Sequence, residues 1–440
     1  MRVLLVALIA LVWSWTGPAR AVDIERVVSP GGIEAWLVRD ATLPLLALEF
    51  RFRGGTAGEP VERAGVGQLA IEMLREGAGD LDSSAFAAEL EERSIALSFS
   101  ASSDQIAGGL RVLNMNRARG IELLALALTR PRLDPTSVER VRARLLAGYS
   151  REAEEPRAMA RRAFQSTAFP DHPYGRSLEA TVAGTRAATI DDLRGFIAAR
   201  LARDNLIVGV VGDVTAAELG PLLDQAFGGL PAKASPTPVA EVAPAIAAER
   251  TIVIRRRIPQ SVQMFGAPGL KRDDPDWFAG QLVNYVLGGG GFNSRLMTEV
   301  REKRGLTYGV STGLSALDHS AVIFGASSTE NARAARALEI IRAEWRRMAE
   351  EGPTADELEN AKAFLTGSFA LSLDSSASVA RLLTAIQYDR LGIDYLARRD
   401  ALIRGVTLED ARRVARRLYG GAGFLTVIVG EPEGIASSGG

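Results

Sequence analysis

Cysteine is absent from the 440-residue sequence, and histidine is nearly absent, with only His172 and His319. The lack of cysteine excludes disulfide bonds, thiolate metal sites, iron–sulfur clusters and a cysteine nucleophile. Neither histidine has a second one three or four residues away, so neither begins a zinc-binding pair on a helix. We interpret both histidines as structural or surface residues.

The sequence also lacks an excess of charge of either sign, since 52 Lys and Arg residues face 53 Asp and Glu residues. A protein that binds nucleic acid through its phosphates usually needs a basic excess, so nucleic acid is not an expected partner. Hydrophobic residues make up 47% of the chain and charged residues 24%, the balance of a globular protein with a sizeable core.

The longest apolar run lies at the N-terminus. Val3–Trp15 follows the positive Arg2 and is broken only by Ser14, and Ala19–Ala21 then provides a small-x-small cleavage pattern. The run is shorter than the roughly 20 residues that span a bilayer. These features predict a cleaved signal peptide at residues 1–21 and a periplasmic protein if the cell is bacterial; the alternative is an uncleaved membrane anchor. Later apolar runs are too short or too charged for stable membrane insertion.

Strand patterns and amphipathic helix patterns alternate along the rest of the chain, which indicates an α/β fold. Two stretches of the sequence share one pattern, in which a helix leads into an apolar strand that ends in glycine followed by an acidic residue. The first strand ends at Gly212-Asp213 and the second at Gly430-Glu431, an offset of 218 positions (430 − 212). A second match, between Leu46–Gly55 and Gln260–Gly269, is offset by 214 positions (260 − 46). These similar offsets predict a tandem duplication of one α/β domain, and chance similarity of two α/β segments is the alternative.

A change of composition marks the boundary between the two halves. Residues 231–249 contain four prolines and few large apolar residues, which is typical of an extended linker. We therefore predict an N-terminal domain at residues 22–230, a C-terminal domain at residues 250–433 and a flexible tail at residues 434–440.

The glycine-rich segment Gly288–Gly291 does not match a known phosphate-binding pattern. It follows a helix pattern at Trp277–Leu287, whereas a dinucleotide fingerprint places its glycines after a strand. The chain also contains no P-loop, and no nucleophilic serine lies on a strand-to-helix turn. We interpret the segment as a tight connection between two helices whose backbone can approach another surface.

Arg301 and Tyr308 form the strongest local candidate site. A helix pattern ends at Gly305 and a strand pattern begins at Tyr308, so the two side chains flank one turn and can point to the same side. A guanidinium and a phenol together offer hydrogen-bond donors for a carbonyl or a carboxylate. The alternative is an ordinary surface arginine beside a tyrosine that packs at a strand edge.

These residues belong to a longer pattern that closely resembles the C-terminal signature of the pitrilysin-like, or M16, zinc peptidases. The matching segments are Leu287–Gly290, Ser294–Leu296 and Glu299–Tyr308. Segments typical of the family's N-terminal domain are Phe169–Gly175, Asp204–Leu206, Val211–Asp213 and Phe227–Pro231. The resemblance covers nearly the whole mature chain. It implies two homologous α/β domains, each a mixed sheet with helices on one face, which together form half of a clamshell.

The chain departs from the family at the zinc motif, which is His-x-x-Glu-His on the first helix of the N-terminal domain. Gln68 stands in place of the first histidine, Ile71 in place of the catalytic glutamate and Glu72 in place of the second histidine. The third zinc ligand of the family, a glutamate on a later helix, falls at Gly148. A zinc ion would lose its ligands at these positions, and the water that attacks the peptide bond would lose its general base. We therefore expect that this chain binds no metal of its own and does not hydrolyse peptides alone.

The resemblance implies a separate role for Arg301 and Tyr308, which are both present. In the family this pair reaches the scissile peptide bond opposite the zinc, binds substrate and stabilises the oxyanion. Several exported bacterial members divide the work between a zinc-bearing chain and a zinc-less chain that supplies the pair. The sequence resembles the second kind, so we expect a heterodimer with a zinc-bearing M16 homologue that cleaves peptides or unfolded segments. The alternative is a catalytically dead structural or peptide-binding protein.

Overall fold

A computed structural model of the protein describes residues 23–438, so the predicted signal peptide at residues 1–21 lies outside the described residues. The strands of the first half are β1 Glu25–Val28, β2 Glu34–Arg39, β3 Leu45–Arg53, β4 Ala96–Ala101, β5 Gln105–Leu113 and β6 Leu206–Gly212. The strands of the second half are β7 Glu249–Arg255, β8 Gln260–Pro268, β9 Val310–Leu317, β10 Ser320–Glu330 and β11 Phe424–Gly430.

Helices connect these strands in both halves. The first half contains α1 Val66–Glu72, α2 Ser83–Glu92, α3 Arg117–Thr129, α4 Pro135–Glu154, α5 Pro156–Ala168, α6 Leu178–Ala187, α7 Ile190–Arg200 and α8 Ala216–Phe227. The second half contains α9 Trp277–Asn284, α10 Ala334–Glu351, α11 Ala355–Gly367, α12 Ser376–Tyr388, α13 Tyr395–Arg404 and α14 Leu408–Tyr419. Among residues 23–438, no helix combines the length and the apolar character needed to cross a membrane.

The strands form two sheets with one topology. The first sheet has the order β1-β2-β6-β3-β5-β4 and the second the order β7-β11-β8-β10-β9. Apart from the extra edge strand β1, the two orders are equivalent. Each sheet contains one parallel pair of strands, which is β2 with β6 in the first sheet and β7 with β11 in the second. All other neighbouring strands in the two sheets are antiparallel. The predicted α/β fold with two homologous mixed sheets is therefore confirmed.

Each half buries a hydrophobic core between one face of its sheet and its own helices. Along β3, the side chains of Leu46, Leu48, Phe50 and Phe52 are almost completely buried, because alternate residues of a strand point to the same face. In the second half Phe265 of β8 is likewise fully buried. The apolar alternation that predicted these strands thus also identifies the face that points into the core.

The other face of each sheet is covered by a helix that comes from the other half of the chain. Helix α12 packs across β3 and β6 of the first sheet, and helix α5 packs across β8 and β11 of the second. Glycines permit the close approach. A Cβ on Gly209 of β6 would lie 2.6 Å from the carbonyl oxygen of Ala380 in α12, and one on Gly266 of β8 would lie 2.9 Å from Phe164 in α5. The amphipathic patterns predict these helices but not the sheet that each one covers.

Two tyrosine–aspartate pairs lie where the halves meet. Tyr174, just after α5, donates to Oδ1 of Asp104 at 2.6 Å, and Tyr388, at the end of α12, donates to Oδ2 of Asp318 at 2.6 Å. The pairs are separated by 214 positions (388 − 174 and 318 − 104), one of the offsets that predicted the duplication. The Asp318 amide also donates to Oδ2 of Asp104 at 3.2 Å, so the two pairs are joined across the interface. Burial and the adjacent carboxylate raise the pKa of both phenols, which keeps them protonated as donors.

Both histidines lie at this interface and contact the segment between the two halves. Nδ1 of His172 accepts the Tyr174 amide at 3.2 Å, and its Nε2 lies 3.1 Å from the carbonyl oxygen of Ala240. Nδ1 of His319 lies 3.5 Å from Glu241. The predicted linker at residues 231–249 contains no helix, and β7 begins at its last residue. The two histidines therefore have contacts that fit a structural role.

One local prediction differs from the structure. The sequence pattern predicts Ser83 or Ser84 as the N-cap of α2, but Oδ1 of Asp82 accepts the Ala85 amide at 2.9 Å and caps the helix. That prediction was wrong because the carboxylate one residue earlier reaches the same free amide. In the predicted tail, the Ser437 and Ser438 hydroxyl oxygens accept amides of β7, each at 2.9 Å, so this part of the segment follows the edge of the second sheet.

We expect Tyr388→Phe to lower the free energy of unfolding by about 1–3 kcal/mol, because it leaves the half-buried Asp318 carboxylate without its donor. The matched control is Tyr419→Phe. The Tyr419 hydroxyl is buried and has no hydrogen-bond partner within residues 23–438, so its removal should leave stability unchanged or increase it. Urea unfolding of both variants, followed by circular dichroism, measures the difference. Equal unfolding midpoints for the two variants would contradict the role of Tyr388 at the interface.

Candidate functional site

Helix α1 carries the zinc-motif positions, and these positions do not present a zinc-binding set of side chains. Nε2 of Gln68 lies 3.4 Å from Oε1 of Glu72. Ile71 points into the first core and is only 1% exposed. Oε2 of Glu72 accepts a hydrogen bond from Arg144 of α4 at 3.0 Å. The one carboxylate at these positions is therefore already paired with a guanidinium.

Gly148 lies one turn after Arg144 on α4 and contributes no ligand atom. A Cβ at this position would meet no atom within 4 Å, so there is room for a side chain where the resemblance predicts the third zinc ligand. Within residues 23–438, no group of three or more His, Cys, Asp or Glu side chains is arranged to hold a metal ion. Zinc in proteins of this kind requires at least three side-chain ligands. The residues present therefore do not fit zinc.

A buried carboxylate that local sequence patterns do not reveal holds the start of α1. Glu59 accepts the amides of Gly65 at 3.2 Å and Gly67 at 2.5 Å, which are among the free donors at a helix N-terminus. Burial raises the pKa of Glu59, while these hydrogen bonds and Arg176, 3.6 Å away, act in the opposite direction. Helix α1 therefore keeps its place through capping and packing, without a metal.

Arg301 lies in a π-helical segment, Met297–Glu302, rather than in a regular α-helix. The amide of Lys303 donates to the carbonyl oxygen of Thr298, five residues earlier, at 3.0 Å. Such wide turns are rare and occur frequently at functional sites. The sequence predicts a helix here, and the structure adds the wider turn that contains Arg301.

Three charged side chains near Arg301 pair with each other, but Arg301 does not take part in these pairs. Glu299 binds both Lys303 and Arg304, each at 2.7 Å, and these two hydrogen bonds lower the pKa of Glu299. Arg301 forms no ion pair with any residue in the described range 23–438. Instead its guanidinium lies over the ring of Phe292, 4.7 Å from the ring centroid. A guanidinium held in this way keeps its N–H groups free for a ligand.

The turn after Arg301 exposes the second residue of the candidate pair. Gly305 adopts a positive φ of 60°, and its amide donates to the Arg301 carbonyl oxygen at 2.8 Å. The Thr307 hydroxyl donates to the carbonyl oxygen of Ser328 at 2.7 Å, which fixes the turn against β10. Tyr308 follows directly and is 85% exposed. Strand β9 begins two residues later, so Tyr308 is not packed at the strand edge.

The glycine-rich segment lies beside this turn. The sequence predicts one helix over Trp277–Leu287, but the α-helix ends at Asn284 and continues as a π-helical segment, Tyr285–Gly289. A Cβ on Gly288 would lie 2.5 Å from Oγ1 of Thr312 in β9. Only glycine lets the helix backbone come this close to the strand, and the contact lies within the π-helical segment.

A buried ion pair, which local sequence patterns also do not reveal, anchors the segment between Phe292 and Arg301. The Arg295 guanidinium donates to both carboxylate oxygens of Glu357, at 2.7 and 2.6 Å, and to the carbonyl oxygen of Gly352 at 2.9 Å. A bidentate pair of this kind is strongly directional. Helix α11, which carries Glu357, therefore holds the segment in place. The two partners are 62 positions apart in the chain, so no local motif connects them.

Comparisons with known proteins relate this chain to the M16 peptidases. The family model described as the peptidase M16 inactive domain matches residues 187–365. An uncharacterized zinc protease of Streptomyces coelicolor is 30% identical over 326 residues, which cover 72% of this chain and 70% of that protein. The non-peptidase homolog YmxG of Helicobacter pylori is 27% identical over 355 residues, which cover 80% of each protein.

A solved structure extends the similarity over both halves. The crystal structure of a peptidase M16 inactive domain from Pseudomonas fluorescens has a TM-score of 0.87 and 26% sequence identity. The match covers 94% of this chain and 99% of that one. In the present chain Gln68, Ile71 and Glu72 replace the residues of the His-x-x-Glu-His motif. The chain therefore belongs to the M16 peptidase family, as a member without the zinc-binding motif.

Proposed function

We propose that this chain is the zinc-free, substrate-positioning subunit of a heterodimeric M16 peptidase that cleaves peptides or unfolded segments. One observation carries the proposal: within residues 23–438 Tyr308 is exposed and the partly exposed Arg301 forms no ion pair, in a chain whose α1 positions do not fit zinc. The partner is an M16 homologue that supplies zinc and the general base. This chain contributes donors for the substrate from the opposite side.

The chemistry of the pair fits this role. Peptide hydrolysis places negative charge on the carbonyl oxygen, and donors that are already in position stabilise that charge most. The Arg301 guanidinium has no carboxylate to neutralise it within residues 23–438, and the Phe292 ring holds it from one face. The exposed Tyr308 hydroxyl provides a second donor. Together they can bind a peptide carbonyl group, since no carboxylate within residues 23–438 forms an ion pair with Arg301.

The proposed compartment is the periplasm, and its support comes from the predicted signal peptide at residues 1–21. The absence of cysteine is compatible with an oxidising compartment. The alternative function is a catalytically dead structural or peptide-binding protein of the M16 fold. The exposure of Tyr308 beside the unpaired Arg301 favours the positioning role, because a purely structural chain has no need of either feature.

The purified chain should contain no stoichiometric zinc. The double variant Gln68→His, Glu72→His should also fail to hold zinc, because position 148 supplies no third ligand. Adding Gly148→Glu completes a set of three ligands at a position with room for the side chain. Elemental analysis of the three proteins measures the metal content. One zinc per chain in the unmodified protein would overturn the assignment of the α1 positions.

Peptidase activity should appear only when this chain is mixed with its zinc-bearing partner. The isolated chain lacks the metal and the general base, and the isolated partner lacks the Arg301–Tyr308 pair. Size exclusion chromatography should show a stable complex, and cleavage of an unstructured fluorogenic peptide should require both chains. If the partner alone is as active as the mixture, the positioning role is wrong and the alternative function stands.

Tyr308→Phe should reduce turnover by the assembled enzyme by about 10²-fold, the typical loss for one oxyanion donor. The ring remains, so folding and association with the partner should not change. Substrate affinity should fall much less than turnover, since the hydroxyl acts mainly in the transition state. Steady-state kinetics of the complex measures both quantities, with Tyr419→Phe as a control that removes a hydroxyl from the core. Near-normal turnover in Tyr308→Phe would remove Tyr308 from the catalytic role.

A further inference from the structure

The outer edges of the two sheets are covered in different ways. Strand β7 is an edge strand, and its counterpart in the first sheet, β2, is paired along four positions with β1. Among residues 23–438 the second sheet has no strand in the place of β1. Instead the tail segment, which we define as residues 434–438, lies along the edge of β7. An uncovered edge strand presents free N–H and C=O groups and is a template for pairing with another chain.

The tail segment contacts the outward groups of β7 mainly through serine hydroxyls. The Ser438 hydroxyl oxygen accepts the Thr251 amide and the Ser437 hydroxyl oxygen accepts the Val253 amide, each at 2.9 Å. The Ser438 amide also donates to the Thr251 carbonyl oxygen at 2.9 Å. Alternate residues of β7, Thr251 and Val253, therefore direct their main-chain groups outward. A paired strand would bind these groups with its own main-chain carbonyl and amide groups.

The tail segment packs incompletely against the second half. Ile435, its one large apolar side chain, packs against the second core and stays partly exposed. A cavity of about 460 Å³ remains between the segment and α10, with Ile435 and Arg342 in its lining. Gly434 begins the segment with a positive φ of 72°, which turns the chain sharply. Release of the segment from the edge therefore gives up little buried apolar surface.

The sequence of β7 is self-complementary in charge when two copies pair antiparallel. Since outward-facing residues must lie opposite each other, a pair centred on Ile252 places Thr251 opposite Val253 of the second copy. The same register places Glu249 of each copy opposite Arg255 of the other. Opposite charges directly across two strands stabilise the pairing, and like charges weaken it.

The residues at both ends of β7 are accessible for such pairs. Glu249 and Arg255 are exposed. Glu249 contacts Arg342 at 2.9 Å, yet its side chain remains 55% exposed. Between these charges, Thr251–Ile254 consists of β-branched residues, which favour strand pairing.

From these contacts we propose that the tail segment is a removable cover, and that the β7 edge pairs with β7 of a second copy of this chain when the segment is released. The inference does not rest on the proposed function, since β7 carries neither Arg301 nor Tyr308. An unrelated strand lacks the matched Glu and Arg at the positions that the register sets. Charge complementarity therefore favours a second copy over other occupants of the edge.

The first test releases the tail segment in the chain without the predicted signal peptide, residues 22–440. The release variant combines Ile435→Asp, Ser437→Ala and Ser438→Pro, which removes the apolar contact, both hydroxyl acceptors and the Ser438 amide donor. Sedimentation velocity should show a Kd for dimerisation at least about tenfold lower than in the unmodified chain, because the segment no longer occupies the edge. Circular dichroism checks folding; if the release variant unfolds, Ser438→Pro alone should lower the Kd in the same direction.

The second test reverses charges in the release variant to examine the register. Glu249→Arg places arginines opposite each other at both ends of the pair and Arg255→Glu places glutamates there, so each change alone should raise the Kd about tenfold. An equimolar mixture of the two variants should dimerise as tightly as the release variant, because each Arg again faces a Glu. The matched control is Arg250→Glu, which should leave the Kd unchanged, since the register places Arg250 opposite Ile254.

The outcomes separate the cover, the register and the occupant. Equal self-association of the unmodified chain and the release variant overturns the role of the tail segment. Dimers that survive Glu249→Arg or Arg255→Glu alone overturn the pairing of β7 with β7. If the release variant stays monomeric but binds an extended peptide or the zinc-bearing homologue more tightly than the unmodified chain does, the edge has another occupant and the inference is wrong. Association that is lost in each reversal variant and restored in their mixture supports it.

Discussion

The structure depends on how the second face of each sheet is covered. A sheet needs a packed layer on each apolar face, and each half of this chain supplies such a layer from its own helices on only one face. Helices α5 and α12 complete the two sheets by crossing to the opposite half. The two tyrosine–aspartate pairs lie at the ends of these crossing helices and are joined by a direct hydrogen bond. Neither half therefore has a complete set of layers without the other.

This arrangement separates the two parts of the candidate site. The zinc-motif positions lie on α1 of the first half, whereas Arg301 and Tyr308 lie between α9 and β9 of the second half. Helix α1 remains in place without a metal because Glu59 caps it and Ile71 packs into the core. The loss of zinc ligands therefore does not disturb the second half. The contacts that hold Arg301 and the turn before Tyr308 therefore do not involve the zinc-motif positions.

Several features near the site could be predicted from the sequence only in part. The helix over Trp277–Leu287 was predicted as regular, because amphipathic spacing does not distinguish an α-turn from a wider one. The π-helical segment contains Gly288, whose close approach to Thr312 is set by tertiary packing. Likewise the pattern of Arg301 and Tyr308 left open whether the tyrosine is packed or exposed. The fixed turn at Thr307 decides that it is exposed.

The amino-acid sequence by itself determined the α/β class, the duplication and the absence of a zinc-binding set, because alternation, repeated offsets and residue types are local properties of the chain. It also predicted Arg301 and Tyr308 as a candidate pair, since both belong to one contiguous motif. Tertiary structure alone decided the exchange of α5 and α12, the Arg295–Glu357 ion pair and the contact between the Tyr285 and Phe364 rings. Each of these joins residues far apart in sequence, and a contact between distant residues depends on how the packed layers fit together.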